Sequence, residues 1–240
     1  MRIAMWSGPR NLSTAMMYAF AARGDCAVVD EPFYAAYLAR TGLDHPMRDA
    51  ILAAQPQDPA EVVAGLLGPH PAQRPLFYQK HMAQHMIPGM PRDWVREVTN
   101  VFLIRHPARV AASFSAKYDN PTLADLGFVQ QVELYEHLVA GGQVPVVIDS
   151  ADIRRDPSAM LQRLCDALRI GWTPAMLSWP RGGHADDGVW APHWYGAVHD
   201  STGFAPAEGP PPALDGPRAA LAEAAMPAYE RLRAVALASG

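Results

Sequence analysis

Residues 2–20, RIAMWSGPRNLSTAMMYAF, decide the fold. Large apolar side chains dominate residues 2–6, enough for a buried strand, and residues 7–12 then carry Gly, Pro and Asn, which turn a chain. A helix follows from Ser13 or Thr14, and either hydroxyl is placed to cap it. The free N–H groups of such a first turn, with the positive end of the helix dipole, face any anion held in the turn. The stretch points to a nucleotide or another phosphorylated ligand. A plain strand, turn and helix with ordinary caps fits the same residues, so this stretch alone leaves both readings open.

A second stretch, residues 98–118, reads VTNVFLIRHPARVAASFSAKY. Its apolar, β-branched start predicts another strand, Arg105 ends it, and Pro107 opens a helix with Val110, Ala111 and Phe114 on one face. Ser113 stands eight positions after Arg105. A guanidinium fork and a hydroxyl at that separation suit a phosphate, with Arg109 a further cation one turn on. The plainer alternative is an Arg105 that only pairs with a nearby carboxylate. A third stretch, residues 144–170, has an apolar strand, a short acidic turn, an Asp156-Pro157 helix start, and Leu161, Leu164 and Leu168 at helical spacing.

In this order the three stretches resemble the sulfotransferases that use 3′-phosphoadenosine 5′-phosphosulfate (PAPS) as donor, over about residues 1–180. In that family's 5′-phosphosulfate loop a Pro and a Lys or Arg precede Ser, Gly and two hydroxyl residues. Here Pro9, Arg10, Asn11, Leu12, Ser13 and Thr14 fill those places, with Asn11 and Leu12 departing from Ser and Gly. The Arg105 and Ser113 pair is similar to the family's 3′-phosphate motif. The resemblance implies a P-loop-like fold and in-line transfer of a sulfuryl group to a hydroxyl or amine of a small-molecule acceptor. It also implies adenosine 3′,5′-bisphosphate as product, and no metal. It further implies a late Gly-containing loop with a basic residue on the donor, the place filled by Arg181, Gly182 and Gly183.

Two candidates stand for the base that takes the acceptor's proton. Glu31, in CAVVDEPFYAAYL just past the second expected strand, comes first; several carbohydrate-sulfating members of the family carry a Glu there, followed by aromatics, as Phe33 and Tyr34 follow here. Desolvation by Pro32 and those rings would raise its pKa, which suits a general base; the alternative is that Asp30 and Glu31 only cap the next helix. His81 comes second, with Lys80 before it and His85 a helical turn on. The two histidines also fit a metal pair by spacing, but the Glu that a zinc-protease helix needs is missing, so no metal site is assigned.

Two other functions remain open on the sequence. A small-molecule kinase would bind a similar ligand, but the chain has neither the Walker lysine nor a clear magnesium-holding set. A non-catalytic adenosine-nucleotide-binding protein is the other, and Leu12 in the loop is the feature that favours it.

The chain has 240 residues, half of them hydrophobic, a net charge of −4 and two cysteines. That composition fits one α/β domain over residues 1–240 and argues against nucleic-acid or membrane partners. Cys26 and Cys165 are expected as small core residues in a reducing compartment. With no apolar span of transmembrane length, and Arg10 too early for a secretory signal, a cytoplasmic location is expected; homo-oligomerisation is left open.

Strands expected near 2–6, 26–29, 76–80, 98–104 and 144–148 alternate with helices near 13–22, 33–40, 60–67, 107–117, 123–140 and 157–168. This predicts a three-layer α/β domain, a parallel sheet of about five strands with helices on both faces and ligands beyond the carboxyl ends of the strands. Residues 42–58 and 68–75 are expected as Pro- and Gly-rich connections. The segment 181–204, with Trp190 and Trp194, is expected as a lid or binding loop. Residues 205–217 are expected as a linker into a last helix at about 218–237.

Overall fold

Five segments, Arg2–Ser7 (β1), Cys26–Asp30 (β2), Leu76–Met82 (β3), Thr99–Ile104 (β4) and Val146–Asp149 (β5), pair as one sheet in a computed structural model that describes residues 1–238. All pairings are parallel and the order is β2-β3-β1-β4-β5. The strands are nearly continuous in apolar residues because helices cover both faces. Side chains alternate accordingly: Ile3 and Met5 of β1, with Val101 and Leu103 of β4, pack against Ser13–Ala21 and Pro157–Leu168. Ala4, Trp6, Phe102 and Ile104 face the opposite layer, which holds Tyr34–Thr41 and Phe128–Ala140. The expected α/β fold, with its all-parallel five-stranded sheet, is what forms.

The order also fixes where a ligand can sit. From β1 the chain runs out to β2, returns through β3, and then crosses to β4 on the other side of β1. That reversal places the topological switch point between β1 and β4, where the crevice beyond the strand ends opens. The loops after β1 and β4, which carry Arg10 and Arg105, therefore start as neighbours.

Several local expectations are corrected. The helix expected over 123–140 is two helices, Leu123–Leu126 and Phe128–Ala140, broken at Gly127, whose φ is 72°. The break lies against the loop after β1: a Cβ on Gly8 would come within 2.2 Å of the Leu126 carbonyl oxygen, so glycine permits the approach. The helix expected over 107–117 ends at Phe114. Residues 42–58 hold a helix, Arg48–Ala54, whose Ile51 is fully buried. The acidic turn after β5 is a helix, Ser150–Arg155, capped by the Asp149 carboxylate on the Ala151 N–H at 2.8 Å. The last helix runs Gly216–Arg233 and stops short of residue 237, because Leu237 instead donates its N–H to the Val147 carbonyl at 2.8 Å.

Candidate active site

Beyond β1 the chain takes left-handed backbone angles at Arg10 (φ 57°) and Leu12 (φ 64°) before the helix Ser13–Ala21 begins. Such an alternating turn directs successive N–H groups into one concavity. Leu12 is the N-cap, and among the described residues no side chain caps the first-turn N–H groups. Neither Ser13 nor Thr14 acts as the expected cap, since both already lie within or at the first helical turn. Leu12 stands where the family's loop carries Gly; its left-handed backbone shows why Gly suits the place, and here part of a leucine's strain of about 1–2 kcal/mol is offset by packing on the core below. Asn11 turns inward, and its Nδ2 donates to the Leu103 carbonyl at 2.6 Å. Gln131, which nothing in the sequence singled out, donates Nε2 to the Leu103 and Trp6 carbonyls at 3.0 and 3.1 Å, tying the ends of β1 and β4 together.

The two basic motifs meet. Arg105 donates Nη1 to the Arg10 carbonyl at 2.6 Å, and Arg10 donates Nε to the Ser113 hydroxyl at 2.9 Å and Nη1 to the Trp194 carbonyl at 3.1 Å. Burial, and then the charge of Arg105, lower the Arg10 pKa from its ordinary value. Pro9, Arg10, Leu12, Ser13, Thr14 and Arg105 all line one cavity of about 270 Å³. Asn11 borders it as well, with its side chain committed to the strand end.

At the β2–β3 side of the same cavity lies a buried ionic cluster. Lys80 Nζ donates to Asp30 Oδ1 at 2.7 Å, to Glu31 Oε1 at 2.6 Å and to the Tyr195 hydroxyl at 2.6 Å. The parallel register places Asp30 directly beside Lys80, and Glu31 continues the ladder by donating its N–H to the Lys80 carbonyl at 2.9 Å. Tyr195 also accepts from Trp190 Nε1 at 2.8 Å and lies 2.8 Å from Asp30 Oδ2, to which it donates. Burial raises the Glu31 pKa above the usual carboxylate range; Lys80 pulls it back and Asp30 adds to the rise. Burial works to lower the Lys80 pKa, but the two carboxylates outweigh it and the value is raised. Glu31 and Lys80 both line the cavity, and among the described residues no hydrogen bond engages Glu31 Oε2. Lys80, Asp30 and Tyr195 were not expected as site residues; the signal for the first two was their place at neighbouring strand ends, and Tyr195 carried none.

Aromatic side chains form the remaining wall. Tyr34 stacks on His85 with centroids 4.8 Å apart, and its hydroxyl lies 3.0 Å from His45 Nδ1. Phe114, Tyr118 and Trp194 complete it. His85 Nδ1 and His45 Nε2 are buried and have no hydrogen-bond partner among the described residues.

Three expected site residues, Ser113, His81 and Arg181, are not among those lining the cavity, and Ser113 is tied to it through its bond to Arg10. His81 alternates with Lys80 on β3 and so faces the opposite layer, stacked on Trp6 at 4.4 Å between Phe33 and Trp94. Burial pushes its pKa down to about 3, so its expected role as a base is corrected: it is a core side chain. His85 instead stacks on Tyr34 and Tyr37, and among the described residues no cluster of three or more His, Cys, Asp or Glu is placed for a metal. Arg181 is corrected too, because it is 70% exposed and faces Asp200 at 3.8 Å, outside the cavity lining. Trp190 is buried and holds Tyr195, whereas Trp194 lines the cavity.

Comparison with known proteins bears on this geometry. A family model described as "Sulfotransferase domain" matches residues 1–236. Two curated relatives from Arabidopsis thaliana, branched-chain-amino-acid aminotransferase-like proteins 1 and 2, are 38% and 37% identical over 231 residues, 96% of this chain. The chain spans 41% of the length of each, and the activity in their names is theirs. Among solved structures, the sulfotransferase domain of the Synechococcus PCC 7002 olefin synthase superposes with a TM-score of 0.57 at 21% identity, covering 93% of this chain and 94% of its own. The sulfotransferase domain from the curacin biosynthetic pathway gives 0.51 at 15% identity, over 92% and 96%. At these identities the likeness shows the fold.

Proposed function

This chain belongs to the sulfotransferase-domain family, and we propose that it transfers a sulfuryl group from PAPS to a hydroxyl or amine of a small-molecule acceptor. One observation carries the donor assignment: Arg10 and Arg105, far apart in sequence, are hydrogen-bonded through the Arg10 carbonyl at the edge of a single cavity, with Ser113 bonded to Arg10. A ligand that carries two phosphates has the charge to engage both basic turns at once.

When bound, PAPS supplies the sulfuryl group, and its in-line transfer leaves negative charge on a 5′-phosphate oxygen. Fixed donors stabilise such charge without reorganising, and in this reading they are the first-turn N–H groups, which carry no side-chain cap, with the Ser13 and Thr14 hydroxyls that line the cavity. Arg10 anchors the turn and adds a positive field. Arg105 and Ser113 hold the adenosine end. Glu31 takes the acceptor's proton on Oε2, while Lys80, itself held by Asp30 and Tyr195, fixes the other oxygen and so aims the carboxylate. The raised Glu31 pKa makes it a stronger base than an ordinary carboxylate.

The aromatic wall selects the acceptor. Tyr34, His85, Phe114, Tyr118 and Trp194 suit a flat apolar body, and the unpaired ring nitrogens of His45 and His85 suit a polar substituent on it. Calorimetry with adenosine 3′,5′-bisphosphate tests the donor class without the acceptor. Binding that is much tighter than that of adenosine 5′-phosphate is expected; equal binding of the two would remove the 3′ assignment, and turnover with ATP and magnesium but not with PAPS would replace the reaction.

A further inference from the structure

Three arginines from separate elements close on one carboxylate. Arg105 follows β4, Arg109 stands in the helix Pro107–Phe114, and Arg154 lies in the helix Ser150–Arg155 beyond β5; all three guanidiniums reach Glu208. Arg105 and Arg154 share Oε1, and Arg109 Nε lies 3.2 Å from Oε2. The same side chains hold the backbone around it, Arg154 Nε donating to the Pro206 carbonyl at 2.9 Å and Arg109 Nη2 to that of Gly209.

Glu208 comes from residues 205–215, a strap without helix or strand that is otherwise mostly exposed, yet its side chain is only 7% exposed. Little apolar burial fixes the strap, so its attachment is chiefly this ionic contact. The contact is also unbalanced. Three cations face one planar monoanion, and burial together with the neighbouring Arg105 and Arg109 lowers the Arg154 pKa despite Glu208. A tetrahedral dianion, with more acceptor oxygens and twice the charge, matches three guanidinium forks better than a carboxylate does. The cluster adjoins the cavity, which Arg105 and Ala205 both line.

We propose that Arg105, Arg109 and Arg154 together form the seat for the 3′-phosphate of the donor, and that Glu208 occupies this seat until the donor displaces it. This rests on the donor assignment above and extends it: Arg154 becomes a donor-binding residue, and the strap becomes an internal competitor. Donor affinity is then reduced by the fraction of molecules whose seat is free.

Calorimetry on Glu208→Ala, Glu208→Gln and Arg154→Ala proteins, with adenosine 3′,5′-bisphosphate and adenosine 5′-phosphate, tests it, alongside hydrogen exchange of residues 205–215. Both Glu208 variants should bind the bisphosphate roughly tenfold tighter with little change for the monophosphate. Arg154→Ala should bind the bisphosphate about tenfold more weakly, again selectively. In the wild type, exchange in the strap should rise when the bisphosphate binds. If the wild type binds the bisphosphate but the Glu208 variants bind it equally or less well, or if exchange in the strap falls on binding, the competitor is overturned and the donor assignment stands. If neither wild type nor variants bind it, both fall.

Discussion

The two sides of the cavity are built on opposite charge surpluses. At the ends of β2 and β3, two carboxylates share one ammonium, and all three are buried and bonded through Tyr195. Beyond β4 and β5, three guanidiniums share one carboxylate that comes from a loosely packed strap. A buried acidic surplus raises a carboxylate pKa and so readies it to take a proton; a basic surplus with a replaceable partner readies it to take an anion. The same parallel sheet thus separates the acidic surplus from the basic one by placing them on different strand ends, which under the proposed function divides proton acceptance from donor binding.

Lys80→Met would break the comparison most severely, because it leaves Asp30 and Glu31 buried without a counter-charge. A loss of about 3–5 kcal/mol in unfolding free energy is expected, read by denaturant titration, and a loss under about 1 kcal/mol would mean that the cluster is more hydrated than its burial indicates. Glu31→Gln sharpens the assignment of roles: turnover should fall by roughly a hundredfold or more, with donor affinity nearly intact. In the wild type kcat/KM should rise with pH through the raised Glu31 pKa, since the base must be deprotonated, and the variant should lose that limb. A limb retained in Glu31→Gln would move the base elsewhere.

Arg105→Ala acts on the other side. Loss of charge-assisted hydrogen bonds of about 1.5–3 kcal/mol predicts a tenfold to hundredfold weaker adenosine 3′,5′-bisphosphate, and a much smaller change for adenosine 5′-phosphate. Equal losses would show that Arg105 serves only the loop through the Arg10 carbonyl. The smallest effect is expected for His81→Phe, which keeps a ring against Trp6: turnover within about twofold of wild type, since the side chain faces away from the cavity. A large loss there would reverse the assignment of the two faces of β3.

The β-strands were legible because parallel strands buried on both faces show as short apolar runs, and the two basic motifs because each is a local strand–turn–helix pattern. Helix ends were less legible. The break at Gly127 answers the close approach of Gly8, and the stop at Arg233 answers the pairing of Leu237 with Val147, neither of which is visible locally. That Glu31 lies at the cavity was legible from its position past a strand and from the resemblance, whereas Arg154, Tyr195 and Glu208 lie in segments whose local pattern indicates only a turn or a loop.

From its sequence alone this protein acquires its strand and helix segments, its family, and the Arg105–Ser113 spacing, because periodicity and turn chemistry act between near neighbours in the chain. The tertiary structure alone decides that Lys80 rather than His81 faces the cavity, that Arg10 supports Ser113, and that Glu208 sits among three arginines. Those outcomes depend on strand order and on which face each side chain buries, and burial is settled only when segments a hundred residues apart pack together.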